Sequence, residues 1–119
     1  MKLEEFSQDD FERASKRLVR SLTRGKTSSS QPKAILLGGQ SGAGKTTIHR
    51  IKQREFQGNI IIIDGDSYRS FHPNYLGLQE KYGKDSVDYT KVFAGQMVEY
   101  LVDELSKKGY HLLIEGTLR

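Results

Sequence analysis

"KAILLGGQSGAGKTT", residues 33–47, decides how the rest of the chain is read. Ala34 to Leu37 form a short apolar run, long enough for a buried strand and too short for a helix. A helical stretch, "GKTTIHRIKQREF", follows the glycines. Between them, Gly39 to Thr46 satisfy G-x-x-x-x-G-K-[ST] in the context that pattern needs, after a strand and before a helix. Glycines let consecutive backbone N–H groups converge on phosphate oxygens. The helix N-terminus adds its partial positive charge at the same place. The stretch therefore predicts a bound nucleoside triphosphate, held by Gly39, Gly42, Ala43, Gly44, Lys45, Thr46 and Thr47. Lys45 is expected to reach the β and γ phosphates. The Thr46 hydroxyl is expected to hold Mg²⁺, which prefers oxygen ligands. The plainer alternative is a glycine-rich turn joining strand to helix, and the complete match in context argues against it.

Four consecutive isoleucines, Ile60 to Ile63, run into "DGDSYR". β-Branched residues without polar alternation predict a parallel strand buried on both faces. In open α/β sheets ligands lie outside the carboxyl ends of the strands, so Asp64 and Asp66 should lie near the glycine loop. Phosphoryl transfer to a hydroxyl needs a base for its proton and a metal to neutralise charge. Asp66 is assigned as the base and Asp64 to the metal's water shell, with Gly65 tightening the turn. Arg69 binds an anionic group on the acceptor or pairs with an acid. Asp and Gly are also ordinary turn residues; the neighbouring phosphate loop favours the functional reading. A third apolar run, "YHLLIEG", places Glu115 at its carboxyl end, to serve metal or acceptor, and Thr117 and Arg119 follow as acceptor candidates. Glu99, on a helix, is as readily a solvated residue. His49, His72 and His111 show no metal-site spacing, and His49 reads as packing or surface.

The remaining pattern completes the architecture. Residues 7–24 read as a helix with Ser7 as N-cap, Asp9 and Asp10 in the first turn, and Phe11, Ala14, Leu18 and Leu22 on one face. "KTSSSQPK" reads as a linker and residues 67–84 as irregular. From Ser86 to Lys108, Phe93, Met97, Leu101 and Leu105 recur every four residues, widened by Val98 and Val102 and closed by Gly109. The predicted division is an amino-terminal helix at 1–25, a linker at 26–33 and a kinase-type unit at 34–119. Alternating strands and helices predict an α/β fold with a parallel sheet, ordered 2-3-1 as in P-loop kinases of this layout.

Composition narrows the class. The chain has 119 residues, no cysteine and a formal net charge of +4. Disulfides and thiolate metal sites are excluded. The charge is too mild to argue for nucleic acid, and no basic–aromatic stripe appears. The start lacks a signal-peptide h-region, and no run approaches the ~18 apolar residues of a membrane span. The expected setting is cytoplasmic, without nucleic-acid or membrane partners.

"LLGGQSGAGKTT", "IIIDGDSYRSFHPNY" and "LLIEGTLR", in that order, resemble the zeta toxins of bacterial toxin–antitoxin pairs. The resemblance runs along essentially the whole chain, and D-G-D-x-x-R followed by "FHPNY" is far more specific than the glycine loop alone. It implies a kinase that uses ATP or GTP to phosphorylate the 3′-hydroxyl of UDP-N-acetylglucosamine, poisoning peptidoglycan synthesis. Lys45 matches the family's P-loop lysine and Asp66 its catalytic aspartate. Glu99, Glu115 and Arg119 match sugar-nucleotide contacts. A small helical antitoxin is implied as partner, blocking the nucleotide site. Members are about twice as long and carry phosphate-clamping arginines beyond the position of Arg119, which implies that this stretch alone is inactive. The competing readings are an adenylylsulfate or antibiotic phosphotransferase, which shares the layout, and a nucleotide-binding module without turnover.

Overall fold

The computed structural model describes residues 2–37 and 42–115, with backbone alone at residues 42, 43 and 45. Helix α1 (Gln8–Thr23) precedes strand β1 (Ala34–Leu37), helix α2 (Gly42–Glu55) and strand β2 (Ile61–Asp64). A 3₁₀ helix (Gly65–Phe71), helix α3 (Tyr75–Tyr82) and a short 3₁₀ turn (Gly83–Asp85) follow, then helix α4 (Ser86–Lys107) and strand β3 (Leu112–Glu115).

The sheet is parallel, with β3 between β1 and β2, which is the expected 2-3-1 order. Register places Ala34 and Ile61 opposite Leu112, and Leu37 and Asp64 opposite Glu115. All three strands therefore end at one level. The two-sided burial expected of the isoleucine strand belongs instead to the central β3, where every residue is buried. In β2 only Ile61 and Ile63 are fully buried, because β2 lies at one side of the described sheet.

The long helix forms as its periodicity predicts. Phe93, Met97, Leu101 and Leu105 are completely buried, Val98 nearly so, and Val102 packs at the margin of the core. Gly109 closes the helix at φ 87°, the left-handed conformation that glycine adopts without steric cost. At the other end of the chain, the Ser7 hydroxyl accepts the Asp10 backbone N–H at 3.1 Å, capping α1. Phe11, Ala14 and Leu18 of α1 lie in one cluster with α4, β2 and β3, and Leu22 packs against it. The segment after α1 is tied down as well. Thr27 and the Asn59 side chain exchange two hydrogen bonds, and the Ser29 N–H donates to the Gly109 carbonyl at 2.8 Å.

Residues 67–84 are not irregular. The 3₁₀ helix is capped by the Asp64 carboxylate, which accepts the Asp66 N–H, and the Ser67 hydroxyl donates to the Asp64 carbonyl at 2.7 Å. Helix α3 buries one residue completely, Leu78. One fully buried residue in eight leaves no periodicity to read.

The "FHPNY" stretch has a structural use. His72 is buried and its Nε2 lies 2.9 Å from the Glu4 carbonyl, which makes it the donor. Asn74 donates from its side chain to the Leu3 carbonyl at 2.9 Å and from its backbone to His72 Nδ1 at 3.0 Å. Phe6 packs edge-on against His72 and Phe93. The amino-terminal arm is thereby fastened to the turn that follows the 3₁₀ helix.

Candidate active site

The carboxyl end of the sheet gathers the acids. Asp64 and Glu115 are register partners on adjacent strands, beside the residue that leads into the glycine loop. The chain then turns through Gly65, whose absent side chain permits close packing: a Cβ there would meet Val98 Cγ2 at 3.0 Å. The glycine is needed for the approach of the turn to α4, rather than only for a tight bend. Tyr68, on the same turn, is buried against the core at 3% exposure.

Asp66 faces outward, with its side chain 66% exposed, and Arg69 Nη2 stands 3.4 Å from its carboxylate. Arg69 Nε is buried and has no partner among the described residues. Both residues line a cavity of about 500 Å³, together with Tyr75, Gln79 and Thr90. A carboxylate that is solvated, adjacent to a guanidinium and open to a cavity can accept a proton from a bound hydroxyl. Arg69 offers donors to an anion in the same space. Of the two roles the sequence allows Arg69, its geometry shows the pairing with an acid and leaves donors for an anion.

Glu115 differs from Asp66. Its side chain is 2% exposed, and His49 Nε2 lies 2.5 Å from its Oε2. His49, read from sequence as packing or surface, is therefore a direct partner of a site acid. The available signal was its place on the helix, one turn beyond Lys45, since residues four apart share a face. Glu99 is exposed on α4, following the Val98 that packs on Gly65. Thr46 and Thr47 are exposed in the first turns of α2, and Gly44 lies beside them. Gly39, Thr117 and Arg119 lie outside the described residues, as do the side chains of Ala43 and Lys45 and everything of Gly42 beyond its backbone. His111 is structural: its Nδ1 accepts the Lys33 N–H at 3.0 Å, and its ring contacts Phe56. Among the described residues no cluster of three or more His, Asp or Glu forms a metal cage. No helix among them is long and apolar enough to cross a membrane.

The model of the Zeta toxin family matches residues 18–119. The chain belongs to the zeta toxin family. It is 70% identical over 119 residues to the toxin PezT of Streptococcus pneumoniae serotype 4, covering 100% of this chain and 47% of PezT. It is 40% identical over 115 residues to a zeta toxin of Streptococcus agalactiae, covering 97% of this chain and 40% of the relative. A solved structure from the PezAT chromosomal toxin–antitoxin system of Streptococcus pneumoniae superimposes with a TM-score of 0.95 at 70% identity, covering 99% of this chain and 49% of that one. The chain thus spans about half the length of the zeta toxins it matches. It covers the glycine loop, the D-G-D turn and the acid at the end of β3.

Proposed function

We propose that this chain carries the nucleotide-binding and proton-accepting half of a toxin kinase. The kinase transfers the γ-phosphoryl group of ATP or GTP to the 3′-hydroxyl of UDP-N-acetylglucosamine and so blocks peptidoglycan synthesis. The observation that carries the reading is Asp66: an exposed carboxylate beside Arg69, open to a cavity at the sheet end where the phosphate-binding motif also lies. In this scheme the acceptor hydroxyl loses its proton to Asp66 as its oxygen bonds to the γ phosphorus. The bond from that phosphorus to the β-phosphate oxygen breaks, and the nucleoside diphosphate leaves. Arg69, 3.4 Å from the Asp66 carboxylate, holds an anionic part of the acceptor beside the base. Asp64 and the Thr46 hydroxyl are hard oxygen donors, which suits Mg²⁺ shared with phosphates and waters better than a protein cage. A metal held there would supply charge neutralisation for phosphoryl transfer. Asp64 Oδ1 also accepts the Asp66 N–H at 3.2 Å, so the metal-side acid and the base are linked through one turn.

In the full-length gene product, Asp66→Asn is expected to abolish transfer to UDP-N-acetylglucosamine while changing ATP affinity less than about twofold, since the amide keeps the shape but takes no proton. Lys45→Ala is expected to weaken both, because it removes charge from the phosphates themselves. Equal loss of ATP binding in the Asn variant contradicts the assignment. Turnover of adenylylsulfate in place of the UDP-sugar favours the competing kinase reading.

The natural restraint on such an activity is a small helical antitoxin that covers the glycine loop. Support comes from the 70% identity to a chain of a toxin–antitoxin system. Titrating the co-encoded partner should displace a fluorescent ATP analogue from the full-length protein, and simultaneous binding of both contradicts occlusion.

A further inference from the structure

We infer that His49 is a positioning residue for Glu115, so that the phosphate-loop helix sets the geometry of the acceptor side of the site. The inference rests on the phosphotransferase reading above. Glu115 ends the central strand and is almost fully buried, at 2% exposure. A carboxylate so placed is costly unless it is hydrogen-bonded or paired. Among the described residues no lysine or arginine pairs with it, and His49 Nε2 supplies the contact to Oε2 at 2.5 Å. In the proposed arrangement the Nε2–H of His49 donates and the carboxylate oxygen of Glu115 accepts.

The terminal torsion of a glutamate is broad and sets no orientation by itself. The histidine removes that freedom. It commits Oε2 and directs Oε1 to a ligand hydroxyl. Glu115 stands in register with Asp64, while His49 stands one turn beyond Lys45 on α2. The hydrogen bond therefore crosses from the element that presents the phosphate motif to the strand that ends beside the catalytic turn. Because His49 is 28% exposed and not packed into the core, holding Glu115 is its evident contribution.

The test measures UDP-N-acetylglucosamine and ATP affinities of the full-length protein by calorimetry. His49→Ala is expected to weaken the UDP-sugar about tenfold or more, as for loss of a hydrogen bond to a charged group, with ATP affinity changed less than about twofold. His49→Gln carries an amide donor near the position of Nε2 and should restore most of the loss. Equal weakening of both ligands, no weakening, or no rescue by Gln overturns the positioning role. A second readout is independent of any acceptor: ¹⁵N-histidine spectra should show a downfield, exchange-protected Nε2–H of His49 that moves upfield in Glu115→Gln, because a neutral amide accepts more weakly than a carboxylate. Absence of that signal overturns the contact itself. If the native protein binds no UDP-sugar, the functional reading falls and the acceptor role of this pair falls with it. A native signal with unchanged affinities in His49→Ala overturns the positioning role alone.

Discussion

Tyr68 lies near the two acids that end β2 and β3, and its buried hydroxyl, beside the Asp64 backbone, makes no hydrogen bond of normal geometry among the described residues. Burial, reinforced by the nearby Asp64 and Glu115 charges, pushes its pKa far above the ordinary value of 10.0. The folded protein then keeps this proton at pH values where the unfolded chain releases it. The contribution is intact below about pH 10, and stability falls above it by up to roughly 1.4 kcal/mol per pH unit. Tyr68→Phe removes both the orphaned hydroxyl and the alkaline slope. It is expected to be neutral or stabilising by up to about 1 kcal/mol at pH 8, with a larger advantage at pH 11. Urea unfolding at the two pH values measures this; a variant that loses several kcal/mol at pH 8 would reveal a hydrogen bond to the hydroxyl. Asp66 and Glu115 show the same lesson at this scale. One lies in the turn just after β2 and the other at the end of β3, yet the first is solvated beside Arg69 and the second is buried against His49. No spacing rule foretells the burial of Glu115, because its partner His49 lies 66 positions away in the chain, whereas the partner of Asp66 is three residues on.

At the scale of elements, α1 and α4 were legible because each buries a stripe at helical period. Helix α3 was not, because it buries only Leu78 completely. The 3₁₀ turn was legible as a motif but not as an element, since its form depends on the Asp64 cap and on Gly65 against Val98. The amino-terminal arm belongs with that turn. Leu3 and Glu4 are held by Asn74 and His72, and Phe6 lies within 5.0 Å of the Phe93 ring centroid. Removing residues 2–6 should therefore strip the cover from His72 and Phe93 and loosen the turn bearing Asp66 and Arg69. Amide hydrogen exchange across 65–75 in the full-length protein is expected to accelerate at least about tenfold, as when a local opening is cheapened by more than ~1.4 kcal/mol. Unchanged protection there would mean that the arm only decorates the surface.

For the whole molecule, the sheet has unequal sides. β2 is flanked by the core cluster, whereas β1 alternates between exposed and half-buried residues, with Leu36 at 70% exposure. Among the described residues no strand pairs with its outer edge. An apolar edge is a template for another chain, and burying one large side chain contributes roughly 1.5–3 kcal/mol. The polypeptide of residues 1–119, expressed by itself, is expected to self-associate and to show no kinase turnover. Size-exclusion chromatography with light scattering and an assay with UDP-N-acetylglucosamine check this; a stable monomer with ordinary turnover refutes it. What the sequence determined by itself was whatever is local or periodic. The D-G-D turn, the helix faces and the strand order all follow from neighbours in the chain, from repeats of 3.6 and from a known layout. Tertiary structure alone decided that His49 holds Glu115, that His72 and Asn74 fasten the amino-terminal arm, and that two-sided burial belongs to β3. Each depends on which distant groups a side chain meets once the sheet has closed, and burial and pairing across such distances leave no pattern in the order of residues.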